Sequence, residues 1–528
     1  MEEQVRRRRL WPYALGIFLG LAAGVVLFIF LRARNIDDRT REWVVQELRT
    51  RFDSEVELQS LHVTIAPLMS VTGEELTVRY HNRTDLPPMF HVKKFSFNLG
   101  VLGVLRAPRH ISGIHVDTLT ITIPPKGERK PPPEPKQPHA APKVVVDQIV
   151  CTETELDILP KKAGKDPLDF DIHDLVLTSV GANKPFKFHG NLTNAKPVGE
   201  IATSGTFGPW DSDEPGDSPV SGAYKFTDAD LGPFPGIAGI LSSTGKYNGP
   251  LNELQVEGET DTPDFSLDKV GRPVPLHTEY SATVDGTNGD TYLHPVRATL
   301  VQSVIIAEGS VVRSTREQGH NIQLNVTTAG ARIEDILNLA VNSGTPFMTG
   351  PVKIQAKLVL PPGKEKVLQK MLLDGQFGID DAKWSSSEVR EKLESLSRHG
   401  EGQPKNEDAG SSVSDLRGSF HVEKGTIHFR SLTFSVPGAA IDLQGTYEMN
   451  GGALDFTGHL RLDAKLSQTV TGAKSWLLKA VDPFFKKDGA GTLLPITITG
   501  TRDNPTLGVT VFHKTIKKQM GGDNPGKK

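Results

Sequence analysis

The stretch Leu416–Leu462, LRGSFHVEKGTIHFRSLTFSVPGAAIDLQGTYEMNGGALDFTGHLRL, decides how the chain is read. Apolar side chains fall at every second position in short blocks: Phe420 and Val422, Ile427 and Phe429, Leu432 and Phe434, Ile441 and Leu443, Tyr447 and Met449, Leu454 and Phe456, Leu460 and Leu462. A period of two is the strand period, so each block is expected to put its apolar side chains on one face of a sheet. Lys424-Gly425, Pro437-Gly438 and Asn450-Gly451-Gly452 supply the positive φ or fixed proline φ that chain reversal needs. The spacing predicts an antiparallel meander with one apolar face. Such a face has to be covered by a second sheet, by helices, or by something other than protein.

Working outward, the same punctuation runs along most of the 528 residues, with Gly 51 and Pro 37. A glycine followed two residues later by a bulky apolar residue recurs as Gly190/Leu192, Gly205/Phe207, Gly222/Tyr224, Gly245/Tyr247, Gly375/Phe377, Gly418/Phe420, Gly445/Tyr447 and Gly458/Leu460, read as the head of a strand. Irregular spacing excludes a strict solenoid period, but a strand-turn-strand unit is stacked many times. Roughly twenty-five strands at about 4.8 Å would extend on the order of 100 Å in one continuous sheet.

Upstream, Leu10–Leu31 is an uncharged, mostly apolar run, roughly 33 Å long as a helix and therefore long enough for a bilayer core of about 30 Å. It is longer than a signal-peptide core and carries no small-x-small cleavage site, so a retained anchor is expected. Arg6–Arg9 abut it on one side, and Arg32, Arg34, Arg39 and Arg41 on the other. The charge count is near a tie. The N-terminus is placed inside because a long downstream domain translocates largely regardless of charge.

Segments follow in order: basic tail 1–9, span 10–31, helix plus β unit 37–123, Pro-rich linker 124–142, central β repeats 143–330, helix and strand segment 331–400, disordered loop 401–414, C-terminal meander 415–512, and basic disordered tail 513–528. Within 37–123 a helix covers Asp37–Phe52, and the apolar phase slips between Val116 and Leu119. Further helices are predicted at Ala331–Val341, Lys364–Leu373, Ser386–Leu396 and Leu466–Lys487, the last interrupted at Pro483. In that last helix Trp476, Leu477, Phe484 and Phe485 are candidates for capping the sheet or touching a membrane interface.

A net charge of −3 carries no basic field for nucleic acid. The lone Cys151 excludes an internal disulfide framework and a cysteine zinc cage. There is no HExxH, Walker loop, GxSxG or dinucleotide fingerprint, so no enzyme chemistry, cofactor or metal is expected. Asp211, Asp213, Glu214 and Asp217 form an acidic loop without EF-hand spacing, read as solvated. His115, His421, His428 and His459 are read as solvated or satisfied surface groups. Sequons begin at Asn82, Asn191 and Asn325, as such triplets do by chance.

The arrangement resembles the AsmA-like family of bacterial envelope proteins. The likeness lies in the N-terminal anchor, the helix leading into strands with LPPMFHVKKFSFNL (Leu86–Leu99), DGQFGIDDAKWSSSEVREKLESLS, the Leu416–Leu462 meander, and LPITITGTRDNPTLGV (Leu494–Val509). It implies a single-pass inner-membrane protein with a periplasmic body, serving outer-membrane biogenesis and shielding phospholipid acyl chains in an apolar β-groove. The expected fold is mainly β, a transmembrane helix followed by an elongated, curled antiparallel sheet with a few short helices. Groove candidates are Phe420, Val422, Ile427, Phe429, Leu432, Phe434, Ile441, Leu443, Tyr447, Leu454 and Phe456. Expected partners are phospholipid, the membrane and other envelope proteins, with no nucleic acid. The rival expectation is an assembly scaffold whose sheets close on each other as a sandwich.

Overall fold

The computed structural model describes residues 36–519 apart from 53, 65–68, 100–108, 126–143, 160–167, 182–183, 212–213, 268–269, 315–318, 341–345, 404–413, 466–467, 470–490, 503 and 512–513. The predicted span 10–31 lies outside these residues, as do Trp476, Leu477, Phe484 and Phe485. Among the described residues no helix is long and apolar enough to cross a membrane. The protein is mainly β, mostly antiparallel, with a few short helices. It divides into two compact units: Met1–Ala195, Glu200–Tyr224 and Asn248–Asn252 in the first, and Lys196–Gly199, Lys225–Tyr247 and Glu253–Lys528 in the second.

The first unit is built around a filled core. Helix α1 (Ile36–Phe52) carries Asp37 and Asp38 in its first turn, where the helix dipole favours negative charge. It packs Trp43, Val44 and Val45 against buried Leu58, Leu61, Val71, Phe95, Phe97, Val116, Val144, Val146 and Cys151. Its polar side chains also bond the edge strand Val56–Thr64: Asp37 accepts from the Val63 N–H (2.9 Å), while Arg41 and Arg49 donate to the carbonyls of Leu58 (2.7 Å) and Val56 (3.3 Å). These are the backbone groups a sheet edge leaves open, so α1 blocks further strand addition there.

The phase slip after Val116 is a break between two strands, Ile114–Val116 and Leu119–Ile123, which both pair with Phe90–Leu99. Their other neighbours correct the expected domain boundary. Ile114–Val116 runs parallel to Ile149–Cys151, and Leu119–Ile123 parallel to Thr154–Ile158. The strands on either side of the Pro-rich 124–142 segment therefore pair with one another within one unit. Cys151 is buried, and burial pushes its thiol up to about 11, which keeps it protonated and unreactive near neutrality.

The second unit contains a meander in which each long strand from Leu254–Leu267 to Lys514–Gln519 pairs antiparallel with the next. At about 4.8 Å per spacing, this extends roughly 60 Å across the strands. The seven blocks of Leu416–Leu462 form four strands: Ser414–Glu423, Thr426–Val436, Ala439–Glu448 and Ala453–Leu462. The three predicted turns join them, with positive φ at Lys424, Gly425, Gly438 and Gly452. Blocks merge for a stated reason in each case. A register shift between Phe429 and Leu432 returns both to one face, and Gly445 and Gly458 continue the alternation without a side chain. The glycine motif therefore lies inside strands, not at their heads.

Helices α2 (Ile333–Ala340) and α4 (Ser387–Gly400) match expectation, with Ser386 capping α4 by accepting from the Val389 N–H. Helix α3 shrinks to Val367–Lys370, because Leu372 and Leu373 join the sheet opposite Val359 and Leu358. The tail expected to be disordered from residue 513 contributes a strand, Lys514–Gln519, held by a backbone ladder to Asn504–Val511.

In the first unit Asp157 sits directly opposite Asp169. Burial, then the neighbouring Glu155 and Asp169 carboxylates, raises its carboxyl to about 6 from an ordinary 3.8. A folded-state value above the unfolded one penalises folding once the group ionises, so the cost is absent below about 3.8 and full above about 6. Asp157→Asn is expected to stabilise this unit at pH 7.5 by about 1 kcal/mol after solvent screening, with the gain gone at pH 4. Urea unfolding at the two pH values measures this. A loss of stability at pH 7.5, or an effect independent of pH, would refute it.

Candidate functional site

Cross-strand register in the second unit gathers the alternating apolar positions into rows that run across the strands. One row reads Ala356, Gly375, Phe420, Phe429, Gly445, Phe456, Ile498 and Leu507. The next reads Ile354, Phe377, Gly418, Leu432, Leu443, Gly458, Ile496 and Val509. Flanking rows contain Val422, Ile427, Tyr447 and Leu454 on one side, and Leu416, Phe434, Ile441 and Leu460 on the other. No charged residue occupies these positions between Val352 and Leu494. All eleven predicted groove residues thus share one face.

Glycine and aromatic residues interlock on this face. A methyl group on Gly375 would lie 2.6 Å from the Phe420 ring, and one on Gly418 2.8 Å from the Phe377 ring. Each glycine makes room for a ring from the neighbouring strand. The rings consequently form a ladder, with centroids 6.2 Å apart for Phe377 and Phe420, 6.5 Å for Phe420 and Phe429, and 5.7 Å for Phe429 and Phe456 across Gly445. These separations suit favourable tilted aromatic contacts.

The opposite face is polar and hydrogen-bonded. Asp374 accepts from Arg430 (2.9 Å) and pairs with His421 (3.0 Å), Arg417 donates to Asp380 (2.8 Å), and Thr433 donates to Asp442 (3.0 Å). His421 is thus a satisfied surface group, and His115 pairs with Asp117 at 3.3 Å. Solvent-facing pairs like these contribute little energy but agree with the register.

Val422 (2% exposed) and Phe456 (6%) are buried, while the other nine candidates are half-buried. Clusters of fully buried apolar side chains lie at one end of the strands. One joins Ala331, Met348, Val352, Ile379 and Ala382 beneath Ile333, Ile336 and Leu337 of α2. The other joins Val436, Ala439 and Leu462 beneath Leu396 of α4. Phe420, Phe429, Leu432 and Leu443 belong to neither cluster. These four are half-buried, whereas the core residues of the first unit are buried.

Phe377, Ile496 and Ile498, which are not among the eleven expected groove residues, extend the same rows. Their signal was the alternation in LLDGQFGI and LPITITG. Among the described residues no group of His, Cys, Asp and Glu could hold a metal. In the acidic loop Asp211 instead accepts from the Glu214 N–H at 3.1 Å, and Asp217 from Asn252. Asn191 and Asn325 lie within strands, and Asn82 accepts from the Glu55 N–H, so the sequons occupy structured backbone. The chain matches no known protein family, no curated protein and no solved structure.

A methyl group on Gly445 would lie 2.1 Å from the Asp455 carbonyl oxygen, and one on Gly458 1.8 Å from that of Asp442. Neither backbone can yield without breaking the ladder. Gly445→Ala and Gly458→Ala are each expected to cost about 3 kcal/mol or more, whereas Gly378→Ala, whose nearest neighbour is Arg417 at 3.8 Å, should stay within about 0.5 kcal/mol. Urea unfolding monitored at Trp384 separates the two classes. Equal costs for all three would contradict the close-approach account.

Proposed function

We propose that the apolar face of the second unit shields phospholipid acyl chains from water, in a protein anchored in a bacterial inner membrane by residues 10–31 with its body in the periplasm. The single observation that supports this most is the uncharged ring ladder, in which Phe377, Phe420 and Phe429 are half-buried while, among the described residues, helices α2 and α4 cover one end of the strands. An extended aliphatic chain suits such a surface because attraction there is non-directional, and each buried CH2 contributes about 0.8 kcal/mol. No catalytic group is required. The lipid leaves one apolar environment for another, and direction comes from partner envelope proteins or from lipid gradients.

The resemblance to AsmA-like proteins in Leu86–Leu99, Leu416–Leu462 and Leu494–Val509 supports the same reading, including a role in outer-membrane biogenesis. In it the face forms a groove. The closed-scaffold reading keeps support from the first unit, where Leu58, Val71, Phe95 and Val146 pack into a buried apolar core. The two readings divide by unit, with structural support in the first and lipid shielding in the second.

Full-length protein released gently from detergent in a native mass spectrometer is expected to retain phospholipid. Phe429→Glu combined with Leu443→Glu should remove at least four-fifths of it, because charge in the ring ladder repels the tails, while far-UV circular dichroism stays unchanged. A wild-type chain free of phospholipid, or a double variant that keeps its full load, would overturn the proposal.

A further inference from the structure

Most exposed large apolar side chains on this protein stand singly, as is usual for soluble surfaces. Phe347 is different. It is 45% exposed, and its ring lies 6.2 Å from that of Trp384, which in turn meets Phe434 edge to face at 6.2 Å. Phe434 belongs to the apolar rows, opposite Leu416 and Ile441. A continuous path of rings therefore leads from solvent to the half-buried face.

The path is a built feature. Met348 and Thr349 pair with Trp384 and Lys383 in a two-residue ladder, and the Ser385 N–H donates to the Phe347 carbonyl at 3.0 Å, which sets the two rings side by side. Trp384 Nε1 donates to the Oγ of buried Ser414 at 3.0 Å, so its polar atom is satisfied and its ring is held. The neighbouring strand ends are closed differently. Helix α2 covers the cluster on one side of this point, and α4 covers the other, where a methyl group on Gly400 would lie 2.3 Å from the Gly438 carbonyl oxygen. Between α2 and α4 the end of the face carries half-buried Trp384, itself packed against the α2 cluster, with exposed Phe347 beside it.

Resting on the lipid-shielding reading above, we propose that Phe347 and Trp384 form the port through which an acyl chain of a bilayer phospholipid passes onto the apolar face. Aromatic side chains suit this position because they are at home at the boundary between water and hydrocarbon. A chain crossing the ring of Phe347 meets Trp384 and then Phe434 without exposure to a charged group of the rows.

Photocrosslinking in the full-length protein tests this. Phe347, Phe429 or Tyr292 is replaced by benzoylphenylalanine in cells grown with [32P]phosphate, and Tyr292, 49% exposed away from the ring ladder, serves as the comparison. Labelled phospholipid is expected at positions 347 and 429 and at background level at 292. Label at 429 with none at 347 overturns the port and leaves the shielding role standing. Label at neither position overturns the shielding role and the port with it. In the second arm, Phe347→Asp is expected to lower the label at 429 at least threefold, and an unchanged label there would also overturn the port.

Discussion

The second unit depends on one constraint, that an antiparallel sheet with a strictly uncharged face must keep that face from water. Its polar side solves its own solvation through pairs such as Asp374 with Arg430 and Thr433 with Asp442. Among the described residues the helices cover only part of the other side. Helices α2 and α4 cover strand ends, and the middle rows from Phe377 to Phe456 rely on each other's rings. Glycine makes this possible. At Gly375 and Gly418 the absent side chain admits a ring from the next strand, and at Gly445 it admits the neighbouring backbone at Asp455.

The two units answer the same constraint in different ways. In the first, α1 packs against the apolar side chains of the strands, Val71 and Cys151 are buried, and the edge strand is blocked by Asp37, Arg41 and Arg49. In the second, consecutive hairpins extend one face from strand to strand, and among the described residues no second sheet lies over its middle. Topology separates a filled core from a half-covered surface here, since both use the same alternating residue types.

Much of this was legible in the sequence because it is local. Period-two alternation and the turns at Lys424-Gly425, Pro437-Gly438 and Asn450-Gly451-Gly452 gave the meander, and the eleven candidate residues fell on one face. The number of strands was less legible. A glycine within a strand and a register shift beside Phe429 both interrupt the hydrophobic pattern as a turn does, and only pairing with the neighbour distinguishes them. The Pro-rich segment was read as a boundary because its composition is that of a linker. The parallel partners that place its two flanks in one unit, Val144–Cys151 and Thr154–Ile158, depend on contacts distant in sequence. The path from Phe347 through Trp384 to Phe434 was invisible for the same reason, since it joins three separate segments.

The central claim is that hydrocarbon from outside the chain completes the ring ladder. A cryo-electron microscopy map of the full-length protein purified from its native membrane is the most direct measurement. Continuous rod-shaped density lying across Phe429, Leu443 and Phe456, and unaccounted for by polypeptide, is the expected result. A map in which protein side chains fill that space against the same three residues would contradict the account.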